Sequence, residues 1–208
     1  MNTVRRFVQR NSWVYVAVVT LVLWLLMGVQ SGSLTLKSLI DNAYTASFLA
    51  IIALGQMLVV TTGRGAIDLS LPGMVTLGAY MCMGICNGQN SMIIPALLAV
   101  IAAGILVGVC NSVMVIYLRL PSIIATMAMN YIIVTVTMLI NNSFNVFTIP
   151  PILSAIATAR IAGIPVVIFL VLLLAALIHY LLSSTTYGKS LLAMGQNLEA
   201  ARLAGVRV

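Results

Sequence analysis

Long apolar runs, nearly free of charge, dominate this chain and leave it a single solvent. Continuous stretches over 13–29, 39–61, 71–86, 92–118, 122–140 and 164–182 each approach the ~20 residues a helix needs to cross the hydrocarbon core. The third is short and the fourth is long enough to tilt. Only 6% of the 208 residues are charged and 62% are hydrophobic, where an ordinary soluble domain carries about 25% charged residues. Such a chain cannot cover its surface with polar groups, so lipid must surround most of it. In lipid, every backbone N–H and C=O must find a partner within the protein, a condition that helices meet along their own length. A β-barrel would show short segments of alternating polarity, and these runs are continuous. The expected fold class is therefore all-α: a polytopic helical membrane protein with six spans over residues 1–182 and a polar segment over 183–208.

Basic residues set the orientation. With the amino terminus inside, six crossings place Arg5, Arg6, Arg10, Arg64, Arg119, Lys189, Arg202 and Arg207 in the cytoplasm and only Lys37 and Arg160 outside. Cytoplasmic loops carry the excess of Lys and Arg, which selects this arrangement over its inverse. The net charge of +7 is the same bias, with some attraction to anionic lipid headgroups. No basic stripe with interleaved aromatics exists, so nucleic acid is not an expected partner. Arg5-Arg6, the following apolar stretch and the Gly- and Ser-containing end at 28–33 also resemble a cleavable signal peptide. The run is nevertheless long enough to span, and Trp13, Tyr15 and Trp24 suit an anchor, which favours a retained first helix.

Two irregular regions break the pattern. Residues 61–72 join the second and third runs, with Gly63, Gly65, Asp68, Ser70 and Pro72 arguing against a continuous helix. Residues 141–165 lie outside, carry Pro150-Pro151, and keep enough apolar side chains to rest on the membrane. They serve either as a connector or as a docking surface for an extracytoplasmic protein. Gly104 with Gly108, and Gly84 with Gly88, are spaced for close helix packing within the subunit or across a dimer.

Groups able to do covalent chemistry are scarce. The chain holds three carboxylates and one histidine. His179 stands alone near the end of the sixth run, where an interfacial hydrogen bond explains it better than a metal. Cys82 and Cys86 share a helix face but lack further ligands nearby, and Cys110 stands apart, so no metal centre or disulfide framework is expected. No G-x-x-x-x-G-K-S/T occurs, so energy from nucleotide must come through another subunit. The chain itself is not expected to be an enzyme or to hold a cofactor.

Polar groups at membrane depth are costly to bury without a partner or a function. Asp68 either caps the helix that follows, for about 1 kcal/mol, or lines a polar pathway at a broken helix. Asn111, Ser112, Thr126 and Asn130 suit interhelical hydrogen bonds singly and, as a group, the walls of a pore for a hydroxylated solute. The polar tail alternates Leu191, Leu192, Met194, Leu198 and Leu203 with Lys189, Gln196, Asn197, Glu199 and Arg202. It reads as a short amphipathic helix, with Gly188, Gly195 and Gly205 marking turns, that fits a partner's groove.

Three separated stretches resemble one family, the permease subunits of ribose-, xylose- and arabinose-type ABC importers, within the superfamily that includes branched-chain amino acid transporters. Thr62-Gly63 through Ile67-Asp68-Leu69-Ser70 is similar to its T-G-G-I-D-L-S-V-G element. Gly108-x-x-Asn111-Ser112, then Leu120-Pro121-Ser122-Ile123-Ile124-Ala125-Thr126, resembles its G-x-x-N-G and L-P-x-F-I-A-T-L pair. Thr185-x-x-Gly188 to Gly205 resembles its coupling segment, T-x-x-G-R-x-x-x-A-x-G-x-N-x-x-A-A-x-x-x-G. Leu71-Pro72 stands in place of Val-Gly, Ser112 in place of Gly, and Lys189 in place of Arg.

The resemblance implies an importer-type permease fold of about ten helices, each of ~20 residues, so the chain would correspond to the amino-terminal part of such a permease. It implies a bacterial inner-membrane location, a second permease subunit (identical or not), a separate ABC ATPase and a periplasmic solute-binding protein. It assigns ATPase coupling to Gly188, Gly195, Asn197, Glu199, Ala200, Ala201 and Gly205, and the solute pathway to Asp68, Ser70, Asn111 and Thr126. Alternatives are a branched-chain amino acid permease, an inert remnant, and an ion-coupled transporter using Asp41 and Asp68 as intramembrane carboxylates.

Overall fold

Helix α1 (Trp13–Ser31) and helix α2 (Leu36–Thr61) open the chain; the computed structural model describes residues 11, 13–32, 34–63, 65–143 and 148–206. Helix α3 (Leu71–Cys86) follows a non-helical stretch, and a 3-10 turn (Asn90–Met92) leads into α4 (Ile93–Ser112). A π-helical turn (Val113–Tyr117) ends α4, after which come α5 (Ser122–Ser143) and the short α6 (Pro151–Thr158). Strands β1 (Arg160–Ile161) and β2 (Ile164–Pro165) pair antiparallel, Arg160 opposite Pro165, ahead of α7 (Val166–Ser184). Two shorter helices, α8 (Thr186–Gln196) and α9 (Leu198–Leu203), close the described chain. Of the arginines used for orientation, Arg5, Arg6, Arg10, Arg64 and Arg207 lie outside the described residues.

Among the described residues, five helical segments are long and apolar enough to cross a membrane: Trp13–Ser31, Leu36–Thr61, Asn90–Tyr117, Ser122–Asn141 and Val166–Ser184. Each expected run contains a helix, but the helix of the third run, α3, is too short to cross by itself. At 16 residues, α3 spans about 24 Å against a hydrocarbon core of about 30 Å. The described residues before it, 62, 63 and 65–70, are non-helical. The described part of the outer region, residues 148–165, also holds more regular structure than an irregular connector. Pro151 starts α6 at a position where a missing N–H costs nothing, and Gly163 (φ 83°) turns the small hairpin. That hairpin takes Ile164 and Pro165 out of the sixth run and moves the start of α7 to Val166.

The chain forms two compact units, Met1–Ala46 and Ser47–Val208. In the first, Gly28 lets the end of α1 meet the next turn of chain, since a Cβ there would lie 2.8 Å from Leu34 Cγ. In the second, α3 packs between α4 and α5 around Leu77, Val107, Met129 and Ile133, with Met74, Met81 and Met114 beside them. Gly73 sets the approach: a Cβ would fall 2.5 Å from Asn130 Oδ1 and 3.1 Å from Ile133 Cγ2. Gly88 does not pack helices as its spacing with Gly84 suggested. It lies past α3 in a left-handed turn with Asn87 (φ 79° and 41°), and its N–H donates to Thr148 O at 3.0 Å.

The tail also departs from expectation. Gly188 and Gly195 are interior to α8 rather than at turns, and only Gly205 adopts a positive φ, 81°, after α9. Close approach explains the two helical glycines better than conformational freedom. A Cβ on Gly188 would collide with Leu181 O and lie 2.6 Å from Leu182 O, because α8 folds back on the end of α7. Thr185 makes that elbow: its Oγ1 accepts from Gly188 N at 3.0 Å and donates to Leu181 O at 2.5 Å. Asn197 starts α9 in the same manner, its Oδ1 accepting from Ala200 N at 3.1 Å.

Candidate functional site

The break before α3 is held open by side chains of α5. Ser122, Thr126 and Asn130 recur every fourth residue, so they line one face of α5. That face meets the non-helical backbone. Ser122 Oγ accepts from Ile67 N at 3.4 Å, Thr126 Oγ1 from Leu69 N at 2.9 Å, and Asn130 Oδ1 from Gly73 N at 3.1 Å. Thr126 Oγ1 also donates to Ser122 O at 2.8 Å, with Ile67 O at 3.3 Å. From α2, the Gln56 amide donates to Asp68 O at 3.2 Å and accepts from Asp68 N at 3.1 Å in the orientation that satisfies both atoms. Irregular backbone at membrane depth needs such partners, because lipid offers none.

The four residues assigned to a pathway come together here. Asp68 Oδ1 accepts from Ser70 N at 2.8 Å and Ser70 Oγ at 2.5 Å, and Ser70 Oγ in turn accepts from Asn111 Nδ2 at 3.0 Å. Asp68 therefore turns the backbone at Ser70, the residue before α3, without capping an N–H of the helix itself, and it also faces a cavity. That cavity, about 460 Å³, is lined by Asp68, Asn111, Ser112, Ser122 and Thr126 together with Ile67 and Val115, a size in the range of small-molecule sites. Ser70, Thr126 and Asn111 are 1%, 4% and 8% exposed. Asn111 Oδ1 has no hydrogen-bond partner, an omission that costs roughly 1–3 kcal/mol when the atom is buried.

Neighbouring geometry keeps this space open. Gly108 sits one turn before Asn111 with nothing within 4 Å of where a Cβ would be, and it lines the cavity. Within this chain, Gly108 therefore borders an opening and packs against no neighbouring helix. Directly after Asn111 and Ser112 comes the π turn, in which Leu118 N donates to Val113 O at 3.2 Å. Single π turns are often found at functional sites in helices.

The residues assigned to coupling separate into two groups. Gly188 and Ala201 are buried, and Asn197 is a helix cap; these shape the tail. Glu199, Ala200 and Gly205 are exposed and available to a partner. Glu199 approaches Arg202 at 3.8 Å with both side chains mostly in solvent, a pair worth only a few tenths of a kcal/mol. Leu203, four residues after Glu199, is 90% exposed; the sequence placed it on the apolar side of the tail but not among the coupling residues. Gln56 was also missed, since one glutamine in an apolar helix carries no local signal. The four-residue spacing of Ser122, Thr126 and Asn130 was readable, but not what it faces. His179 is exposed, and no group of three His, Cys, Asp or Glu gathers among the described residues.

A multi-pass helical protein with a polar break between helices, a buried polar cluster and a folded tail has the form of a transport permease. Residues 38–208 match the family described as branched-chain amino acid transport system / permease component, and the chain belongs to that family. Over 203 residues it is 28% identical to the autoinducer 2 import system permease protein LsrC of Escherichia coli O157:H7, covering 97% of this chain and 58% of that protein. The LsrC proteins of Salmonella typhi (28%) and Yersinia pseudotuberculosis serotype O:3 (27%) align over the same 97% of the chain. The chain thus spans less than two thirds of the length of these relatives. No solved structure matches it.

Proposed function

We propose that this chain belongs to the transmembrane subunit of an ATP-driven importer of a small, uncharged, hydroxylated solute of the sugar type. It would lie in the inner membrane with its amino terminus in the cytoplasm and pair with a second permease subunit. A separate ATPase would dock on α8 and α9, and an extracytoplasmic binding protein on residues 141–165. The observation that carries the solute reading is the unpartnered Asn111 Oδ1 in a cavity of about 460 Å³. A buried acceptor of that kind is matched by an incoming hydroxyl.

The same cavity favours a sugar over an amino acid. Among the described residues its lining includes no Lys, Arg or His to meet a carboxylate, and the carboxylate among them, Asp68, already accepts two bonds from Ser70. The ion-coupled alternative loses support for the same reason, because Asp68 is engaged on both its side chain and its backbone. Asn111→Leu, similar in volume, is expected to reduce solute uptake at least tenfold, about 1.4 kcal/mol, while the ATPase still associates. Unchanged uptake in that variant would refute Asn111 as a solute ligand.

Docking is tested by co-purification with the ATPase subunit of an importer of this family. Leu203→Asp puts a charge on the most exposed apolar side chain of α9 and is expected to release the ATPase, as is Glu199→Arg. Retention of the complex in both would remove α9 as the docking element.

A further inference from the structure

The tail and the polar break touch backbone to backbone. Gly63 (φ 79°) follows α2, and Gly195 lies in the last turn of α8. A Cβ on Gly63 would fall 2.9 Å from Gly195 O and 3.0 Å from Gly195 Cα, and one on Gly195 would collide with Thr61 O. Neither side has a flexible side chain that could yield. Only glycine at both positions allows this approach, and glycine alone is at ease at the positive φ of Gly63.

The contact joins α8 to the polar cluster by a short path. Gly63 O accepts from Ala66 N at 3.1 Å, and one residue later Ile67 and then Asp68 are held by Ser122, Thr126 and Gln56. Beside the contact lies a second cavity, about 370 Å³, bounded by Thr62, Ala66 and Ser122 above and by Met194 of α8 and Leu198 of α9. Thr62, Ala66 and Ser122 also line the cavity of Asn111. The two spaces therefore share a wall, and the tail forms the floor of the lower one.

We infer that Gly63 and Gly195 are positioning residues that fasten α8 to Thr61 and Gly63, so that movement of the tail displaces the Asp68–Ser70 break and opens the shared wall. This rests on the importer reading and names the place where force from the ATPase would enter the pathway. The two glycines touch no solute; they act through the backbone they bring together.

The test uses the transporter expressed with its ATPase and reconstituted in liposomes. Gly195→Val and Gly63→Ala are each expected to lower uptake per ATP hydrolysed at least tenfold while the ATPase remains bound. Gly55→Ala, with nothing within 4 Å of its Cβ position, serves as the control and is expected to stay within twofold. A second measurement does not depend on how well those variants fold. Thr62→Cys and Met194→Cys, with Cys82, Cys86 and Cys110 replaced by alanine, are joined by a short bis-maleimide. If α8 and the loop move as one body, the cross-linked transporter keeps its uptake within twofold. Tenfold inhibition by the cross-link, or normal coupling in Gly195→Val, would overturn the inference and leave the importer reading standing. Failure of the ATPase to bind the unaltered chain would overturn both.

Discussion

Replacing Thr126 with valine, nearly the same shape, is expected to cost about 2–3 kcal/mol, because a buried backbone donor loses its partner and a net hydrogen bond disappears with it. Thr126 Oγ1 is the acceptor for Leu69 N at 2.9 Å, and Thr126 is 4% exposed. Water cannot readily replace it there. The temperature at which the detergent-solubilised chain loses its monodisperse form should fall by at least about 5 °C, and Thr126→Ser should restore most of it by keeping the hydroxyl. Valine would preserve packing and helix propensity, so the loss reports on the broken backbone alone. An unchanged midpoint would mean that the segment before α3 is not held by α5.

Gly188→Ala should also be strongly disruptive, with a sign that intrinsic propensity would get wrong. Alanine in place of glycine inside an isolated helix stabilises it by about 1 kcal/mol. Here the added Cβ would collide with Leu181 O and lie 2.6 Å from Leu182 O, both backbone atoms at the end of α7. The elbow made by Thr185 would have to open. Hydrogen–deuterium exchange across 186–196 is expected to lose at least tenfold of its protection, with membrane insertion unaffected. Increased protection would show that α8 does not lie against α7 as described. Thr185→Val should act in the same direction but less strongly, since it removes the cap at 3.0 Å without adding bulk, for about 1 kcal/mol.

Much of the fold was legible because lipid imposes a simple rule on sequence. An apolar run of sufficient length becomes a helix, and the run at 71–86 matches α3 (Leu71–Cys86) at both ends. Boundaries shifted where local chemistry intervened, as when the Arg160–Pro165 hairpin claimed the first residues of the sixth run. The reading of glycine spacing fared worse. Gly188 and Gly195 signalled turns from sequence and serve instead as contact points inside a helix, while Gly108 faces a cavity rather than another helix of its own chain. A glycine's sequence position does not say whether it is needed for its φ or for its missing side chain.

By itself, the sequence determined the class of protein, the number and approximate ends of its apolar helices, and the polar residues that had to find partners. Those follow from composition and period, which act along the chain. Only the tertiary structure decided which partners they found. Ser122, Thr126 and Asn130 meet the backbone before α3, Gln56 clamps Asp68 from another helix, and Gly195 touches Gly63, 132 residues earlier in the numbering. These pairings join residues far apart in sequence, and they are fixed by how helices pack, since lipid supplies neither hydrogen bonds nor a hydrophobic gradient to choose among alternatives.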